Sequence, residues 1–452
     1  MEEKSISEFL SNEYKEFALY VIENRAIPSV IDGLKPSHRK VIHIASKIWK
    51  TGNEKVLKVF QLTGKVASDA FYHHGDASLS NSIINIAQSF KNNASLLEED
   101  GQFGSLRSPQ PGAPRYIGTK LSPYFRMIYK DHSLLTFKEE EGESIEPKYF
   151  LPIIPTVLVN ASSGIAVGFA TNILNRNMDD IITSCIGYLK NGKIKKVEPS
   201  LNAFTGNYRQ DDQNHKKWFI SGKFEIVNTT TVHISELPPS MTYEKYELIL
   251  ETLIDDKKIV SYDDKCADDI NYIIKFKRNE LKSFSDYEIL KLLKLEESQT
   301  ENFTTLDEDG KLKIFENSSD IIKYFMDFRL SYYDKRKKFM IDKINREIKM
   351  LTNRSQFIKL ILQKKIILNN KPKADIIDQI EKHKLEKQDA SYDYLLRMPL
   401  YSLTKELVDK IAKDIILEKA ELARLKKLKP KEMYVDDLNQ LKKDVKSYEK
   451  QK

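Results

Sequence analysis

Ile341, Ile344, Ile348, Leu351, Ser355, Ile358 and Leu362 succeed one another by alternating steps of three and four residues. That rhythm keeps one stripe turned toward a partner helix and defines a coiled-coil seam. After a break at "NNKPKAD", Val408, Ile411, Ile415, Glu418, Leu422 and Leu425 repeat it. Two seams with a compact segment between them predict an antiparallel pair of arms tipped by a small globule. In that globule "YLLRMPLYSLTKE" is apolar enough for a dimer contact, or else packs on its own arms. The basic "YYDKRKKF" reads as a solvated helix face.

The segment up to Glu146 has a different character: short helices joined by loops. "SEFLSNEYKEFALYVIENR" carries Phe9, Leu10, Phe17, Ala18, Val21 and Ile22 at helical spacing and stops where Pro28, Gly33 and Pro36 interrupt it. Pro36 suits the first turn of a new helix, with Val41, Ile42, Ala45, Ile48 and Trp49 as its buried stripe. Another helix runs through "GDASLSNSIINIAQSF", with Asp76 as candidate cap and Leu79, Ile83, Ala87 and Phe90 facing inward. These are the makings of a winged-helix module. From "YFLPIIPTVLVNASSGIAVGFATNI" onward, β-branched and aromatic runs between turn signals predict an α/β domain, with "LDEDGK" as a hairpin turn.

At 452 residues the chain is expected to hold several domains. Its net charge of +7 is too modest to argue for nucleic acid by itself, so the placement of the cations has to decide. No apolar run is long enough to span a membrane, and the N-terminal stretch lacks a secretory pattern. Cys185 and Cys266 lie far apart without metal-binding spacing and read as structural thiols of a reducing compartment.

Four short segments hold groups suited to one task. "NRAIPSVIDGLKPSHRK" supplies Arg25, Lys35, His38, Arg39 and Lys40; "FYHHGDASL" supplies His73 and His74; "GQFGSLRSP" supplies Arg107; "APRYIG" supplies Arg115 and Tyr116. Lys35, His38 and Arg39 flank a helix start, where free N–H groups and the positive dipole end already favour phosphate. Taken singly, each segment has an ordinary structural reading.

Tyr116 is one of 22 tyrosines, and a phenol is only about one part in a thousand ionised at neutral pH. A tyrosine nucleophile therefore needs nearby cations or a base. An arginine on the equatorial oxygens of an attacked phosphodiester contributes on the order of a thousandfold, as arginine fingers do in phosphoryl transfer. Arg115 is adjacent in sequence but need not lie beside the phenol; its task would be the phosphate, with His74 bonding the same group or relaying a proton. The product would be a phosphotyrosyl diester, which keeps the energy of the broken bond for resealing.

"ENRAIPSVIDGLKPSHRKV", "YHHGDASL", "GQFGSLR", "PRYI" and "LPIIPTVLVNASSGIAVGFATNI" resemble, in order, the successive motifs of type IIA DNA topoisomerases. "YHHGD" with "RYI" is similar to the eukaryotic and T-even bacteriophage branch more than to the bacterial "HPHGD" form, and a chain ending after the arms resembles the phage breakage-reunion (medium) subunit. The resemblance implies a multidomain α+β chain: a winged-helix cleavage domain over 1–146, an α/β tower domain over 147–318, coiled-coil arms with a small helical dimerisation globule over 319–430, and a C-terminal tail beside the arms over 431–452.

It also implies that Tyr116 cleaves DNA, Arg115 stabilises the transition state, Arg25 and His74 complete the active site, and Lys35, His38, Arg39 and Lys40 contact the DNA backbone. Arg107 is expected on DNA too, although "SLR" holds one residue more than the family's commonest spacing; Ile165 resembles the isoleucine wedged between base pairs. The "LTGKVAS" stretch lacks the first glycine of a phosphate-binding loop, and no carboxylate cluster stands out among pairs such as Asp211–Asp212, Asp263–Asp264 and Asp268–Asp269, all in loop-like stretches. Mg²⁺ and ATP are therefore assigned to a partner large subunit carrying the ATPase and metal-binding (TOPRIM) domains. The implied assembly is a homodimer through the C-gate within a heterotetramer, acting on double-stranded DNA in the cytoplasm of a phage-infected host. Ala77 and Asn81 stand where bacterial enzymes often have Ser and an acid after "HGD", which argues against fluoroquinolone sensitivity; no wrapping domain is read, so negative supercoiling is not expected. Two other readings stay open: a non-catalytic DNA clamp, and a different tyrosine transesterase, against which the arms weigh.

Overall fold

Pro36 starts a helix as its fixed φ and missing N–H allow, and around it the computed structural model builds the first of two compact units. Residues 5–51, 54–267, 269–388, 391–399, 401 and 403–451 are described. The units are the chain up to Arg329 together with residues 435 onward, and Leu330–Tyr434.

In the first unit, α1 (Ile6–Ser11) begins with a Ser5–Glu8 capping box, and α2 (Glu13–Val21) runs straight into a π-helical turn, Ile22–Ala26. The apolar residues of this first stretch divide: Phe9, Leu10 and Phe17 are exposed, while Ile22 is buried in a cluster against which Val21 packs. Next come α3 (Pro36–Ile48), α4 (Val59–Asp69) and α5 (Asp76–Ala87). Their inner faces bury Val41, Ile42, Ala45, Leu62, Val66, Leu79 and Ile83. Gly75, not Asp76, is the cap of α5; Asp76 sits in the first turn without capping it. A three-stranded antiparallel sheet covers the bundle: β1 (Leu57–Lys58) and β2 (Leu97–Asp100) flank β3 (Gly118–Leu121), with Leu97 opposite Leu121 and Asp100 opposite Gly118. Short helices and a small sheet leave the segment before β3 as a surface loop, and that loop carries Tyr116.

Two antiparallel sheets follow, one built from Asn207–Gln210, Lys217–Ser221 and Glu296–Thr300, the other from Lys223–Asn228, Thr231–Glu236, Tyr272–Lys275 and Ser261–Asp264. Val232, Ile234, Leu250, Ile274 and Ile289 pack the core beneath the second. "LDEDGK" does turn a hairpin, between Phe303–Leu306 and Leu312–Phe315, with Gly310 in the left-handed region that suits it. Asp263 and Asp264 end an edge strand rather than lying in a loop, and Asp268 lies outside the described residues. Arg176 and Glu301 form a buried two-pronged ion pair at 2.9 and 2.8 Å, and Trp218 Nε1 donates to the same carboxylate.

A 45-residue helix, Ser318–Leu362, reaches into the second unit. There its seam residues meet the helix Lys405–Lys427: Ile358 packs with Val408 and Ile411, while Lys337 Nζ donates to the carbonyls of Lys426 and Leu428. Low numbers meet high and high meet low, so the arms are antiparallel. Phe357, Leu360, Ile366, Ile380, Leu385, Tyr392 and Leu395 form a separate apolar cluster at their tip. Leu400 and Ser402 of the apolar stretch lie outside the described residues.

The expected C-terminal tail is mostly one helix, Pro430–Glu449, whose Leu438, Leu441 and Val445 are buried, and residues from 435 on group with the first unit. Apolar residues at steps of three and four require a face to bury. Lys442 Nζ donates to Asp179 at 2.9 Å, and Tyr448 meets Tyr124 edge to face.

Candidate active site

The loop bearing Tyr116 rests on the start of α4. Val59 N–H donates to Ile117 O and Phe60 N–H to Pro114 O, each at 3.1 Å, and Lys58 Nζ donates to Tyr116 O at 2.7 Å. A helix's first N–H groups lack intrahelical partners, and here the loop's carbonyls take them. The backbone of Tyr116 is thereby held while its side chain remains 72% exposed. Arg115 is also exposed, and its guanidinium makes no hydrogen bond or ion pair among the described residues. An unengaged guanidinium next to an anchored, accessible phenol is the arrangement an incoming phosphodiester requires.

A second group forms around His74, ahead of α5. Arg25 Nη2 lies 3.1 Å from His74 Nδ1, and Tyr20 Oη lies 3.0 Å from His74 Nε2. A guanidinium only donates, so Nδ1 is the acceptor and the ring proton sits on Nε2, which donates to Tyr20. Partial burial, then the charges of Arg25, His73 and Lys40, hold the His74 pKa below its ordinary value, which keeps the ring neutral. Tyr72 packs edge-on against the same ring, with centroids 5.3 Å apart. His73 instead pairs with Glu140 at the surface. No hydrogen bond among the described residues joins the Tyr116 hydroxyl to this group; α4 and α5, which support the two, are linked by Thr63 and Ser80 at 3.0 Å.

The third part is a hairpin, Ser162–Ile165 paired with Ala170–Ile173, whose Ile165 is 88% exposed. A large apolar side chain held in water at a hairpin tip gains nothing for the fold. Lys35 Nζ donates to Ser163 O at 2.7 Å, and burial lowers the lysine's pKa. Gly164 permits this approach, since a Cβ there would collide with Ala26 O. The hairpin is thus docked against the residue following Arg25. Lys35, His38, Asn160 and Ser163 line a cavity of about 470 Å³ beside it.

The remaining basic residues are engaged within the protein. Arg39 is 4% exposed, with Nε and Nη2 on the carboxylate of Asp32 at 2.7 and 3.0 Å and Nη2 also on Leu34 O. Burial opposes its charge, but Asp32 outweighs that and raises its pKa. Lys40 donates to Ala70 O and pairs with Glu146 at 2.9 Å. Arg107, 7% exposed, pairs with Glu236 and donates to the carbonyls of Leu237, Pro238 and Met241. All three are engaged inside the protein: each charge is buried or half-buried beside a carboxylate, and leaving it for a phosphate would strand that carboxylate. His38 is half-buried, and burial, then Lys35 and Arg39, pull its pKa down to about 3. It offers DNA an N–H at neutral pH and no positive charge.

A family model for the A-type subunit of DNA gyrase/topoisomerase IV matches residues 25–442. The chain belongs to this family. It is 33% identical to the mitochondrial DNA topoisomerase 2 of Dictyostelium discoideum, over all of this chain and 36% of that protein. It is 31% identical to the DNA topoisomerase 2 of Plasmodium falciparum, over 97% of this chain and 34% of that protein. The chain thus spans about a third of the length of the curated relatives it matches. The solved DNA-binding, cleavage and re-ligation domain of Plasmodium falciparum topoisomerase II superposes with a TM-score of 0.87 at 30% identity, covering 98% of this chain and 65% of that one.

For this member of the gyrase/topoisomerase IV family, sequence reasoning missed Lys58, Tyr20 and Tyr72. Lys58 is far from Tyr116 in sequence, and Tyr20 is five residues from Arg25, a spacing that pairs nothing on an α-helix. Among the described residues no three His, Cys, Asp or Glu side chains gather to hold a metal ion. No described helix is long and apolar enough to cross a membrane.

Proposed function

We propose that this chain is the DNA breakage-reunion part of a type IIA topoisomerase, and the observation that carries this is the exposed Tyr116 beside the unengaged Arg115. The Tyr116 oxygen attacks a backbone phosphorus of duplex DNA. The new bond is tyrosyl O–P and the broken bond is P–O3′; the phenol proton leaves to solvent or base, and the departing 3′-oxygen takes one up. The DNA 5′ end is then held as a phosphotyrosyl diester, and attack by the 3′-hydroxyl reverses every step without consuming a nucleotide. Arg115 meets the charge gathering on the equatorial oxygens. Arg25, oriented by His74 Nδ1, supplies a second guanidinium for the same phosphate, while the single N–H of the neutral His74 is held by Tyr20. Ile165 enters the base stack, where unstacking costs a few kcal/mol per step and bends the duplex.

Two copies, joined through the tip of the arms, cut opposite strands so that another duplex can pass, relaxing or decatenating DNA. The first unit then divides at about residue 146 into a cleavage and a tower domain. Mg²⁺ and ATP belong to a partner large subunit in this reading, and the working enzyme is a heterotetramer. "YHHGD" and "RYI" support the eukaryotic and T-even phage branch, and with it a phage-infected cytoplasm. The names of the relatives, DNA topoisomerase 2, support the activity.

The test is co-expression with the large subunit, addition of Mg²⁺ and plasmid, and abrupt denaturation with detergent. Linear DNA with protein on both 5′ ends is expected, and Tyr116→Phe abolishes it while DNA binding stays within about twofold. Equal cleavage by the Phe variant contradicts the assignment; tight binding that never becomes covalent leaves the chain a clamp.

A further inference from the structure

Tyr20 touches both supporting residues of the site. Its hydroxyl accepts from His74 Nε2 at 3.0 Å, and its ring lies under the Arg25 guanidinium at 5.6 Å. Five residues separate Tyr20 from Arg25, which on a regular α-helix sets them about 140° apart. The π-helical turn Ile22–Ala26 removes that separation: widening to i→i+5 brings residues five apart toward one face. The extra residue in the turn is therefore what creates the contact.

The three groups close a triangle. Arg25 donates to Nδ1, Nε2 donates to Tyr20, and Tyr20 presents its ring to Arg25. Each ring nitrogen of His74 thus has a fixed partner, so both tautomer and ring angle are determined. The Tyr20 hydroxyl proton is not used in the triangle.

We propose that Tyr20 is a positioning residue of the cleavage site, fixing His74 as the Nε2–H tautomer and holding Arg25 toward the scissile phosphate. This rests on the breakage-reunion reading above. Tyr20 does not touch the reacting atoms; it acts through His74 and Arg25.

The test uses the full chain with its large subunit, comparing wild type, Tyr20→Phe, Tyr20→Leu, His74→Ala and Tyr20→Phe/His74→Ala. Tyr20→Phe keeps the ring and loses the hydrogen bond, so the single-turnover rate of covalent complex formation falls about tenfold while the DNA Kd moves less than about twofold. Tyr20→Leu also loses the ring and falls about threefold further. In the His74→Ala background Tyr20→Phe has almost no added effect, because the two residues act as one unit. Side-chain ¹⁵N spectra of the chain, with His74 assigned from the His74→Ala variant, show the Nε2–H form in wild type and a tautomer mixture in Tyr20→Phe. A wild-type cleavage rate in Tyr20→Phe, the same loss in both His74 backgrounds, or an Nδ1–H wild type overturns the proposal. Absence of any covalent complex with wild type would defeat the breakage-reunion reading instead, and the ¹⁵N result would still decide what Tyr20 does to His74.

Discussion

Arg115 and Arg107 lie eight positions apart, both on loops and both flanked by glycine and proline, yet they have opposite environments. The Arg115 loop is fixed through its backbone, on the first N–H groups of α4, and this leaves the guanidinium and the neighbouring phenol in solvent. The Arg107 loop is fixed through its side chain, which Glu236 and three carbonyls surround. One loop retains a charge it can use on a ligand; the other uses its charge to hold the loop in place. Arg39 and Lys40 fall with Arg107, and Lys35 stands between the two, donating to the hairpin that presents Ile165. A carboxylate already faces Arg39, Lys40 and Arg107, and none pairs with Arg115 among the described residues.

Truncation tells the two kinds of arginine apart. Arg107→Ala or Arg39→Ala strands a buried carboxylate and is expected to cost roughly 3–5 kcal/mol in urea unfolding. A loss under about 1 kcal/mol would mean these pairs are not what holds their loops. Arg115→Ala should do the reverse: cleavage falls on the order of a hundred- to a thousandfold, with unfolding unchanged to within about 0.5 kcal/mol. Lys at position 115 should recover only part of the rate, since an ammonium lacks the planar fork.

Ile165→Ala is expected to lower DNA bending, read by fluorescence transfer between duplex ends, and to slow cleavage on the order of tenfold. Stability should hold, because the side chain is 88% exposed. A drop in melting temperature with normal bending would make it a packing residue.

The smallest effect concerns protons. His38 and His43 have pKa values depressed from 6.5 to about 3 and about 4, in each case first by burial. Below about pH 6.5 the unfolded chain binds protons that the folded chain refuses, so stability rises with pH across that window and is lost as pH falls toward 4. Each histidine contributes a slope of up to about 1.4 kcal/mol per pH unit. His38→Gln should flatten the acid side of the stability curve; an unchanged slope would place His38 in solvent.

Much of this was legible in the sequence because it was periodic or local. The seam from Ile341 to Leu362 marked the long helix, Pro36 the start of α3, and "LDEDGK" the hairpin. Tyr116, Arg115, Arg25, His74 and Ile165 were picked out by motif, and the structure brings Arg25 to His74 and leaves the other three accessible. What failed was long-range. Arg107 meets Glu236, and Lys442 meets Asp179, across separations no local pattern encodes. Tyr20 escaped notice because helical spacing assumes 3.6 residues per turn, and a π-turn violates that assumption.

Everything proposed for the cleavage site depends on Tyr116 carrying the broken DNA end. That attachment can be read by trapping cleavage with detergent on a radiolabelled duplex, digesting the adduct with protease and nuclease, and sequencing the labelled peptide by mass spectrometry. A 5′-phosphonucleotide is expected on the tyrosine of the peptide containing "PRYIG". A nucleotide on any other residue, or on a 3′ end, would contradict it.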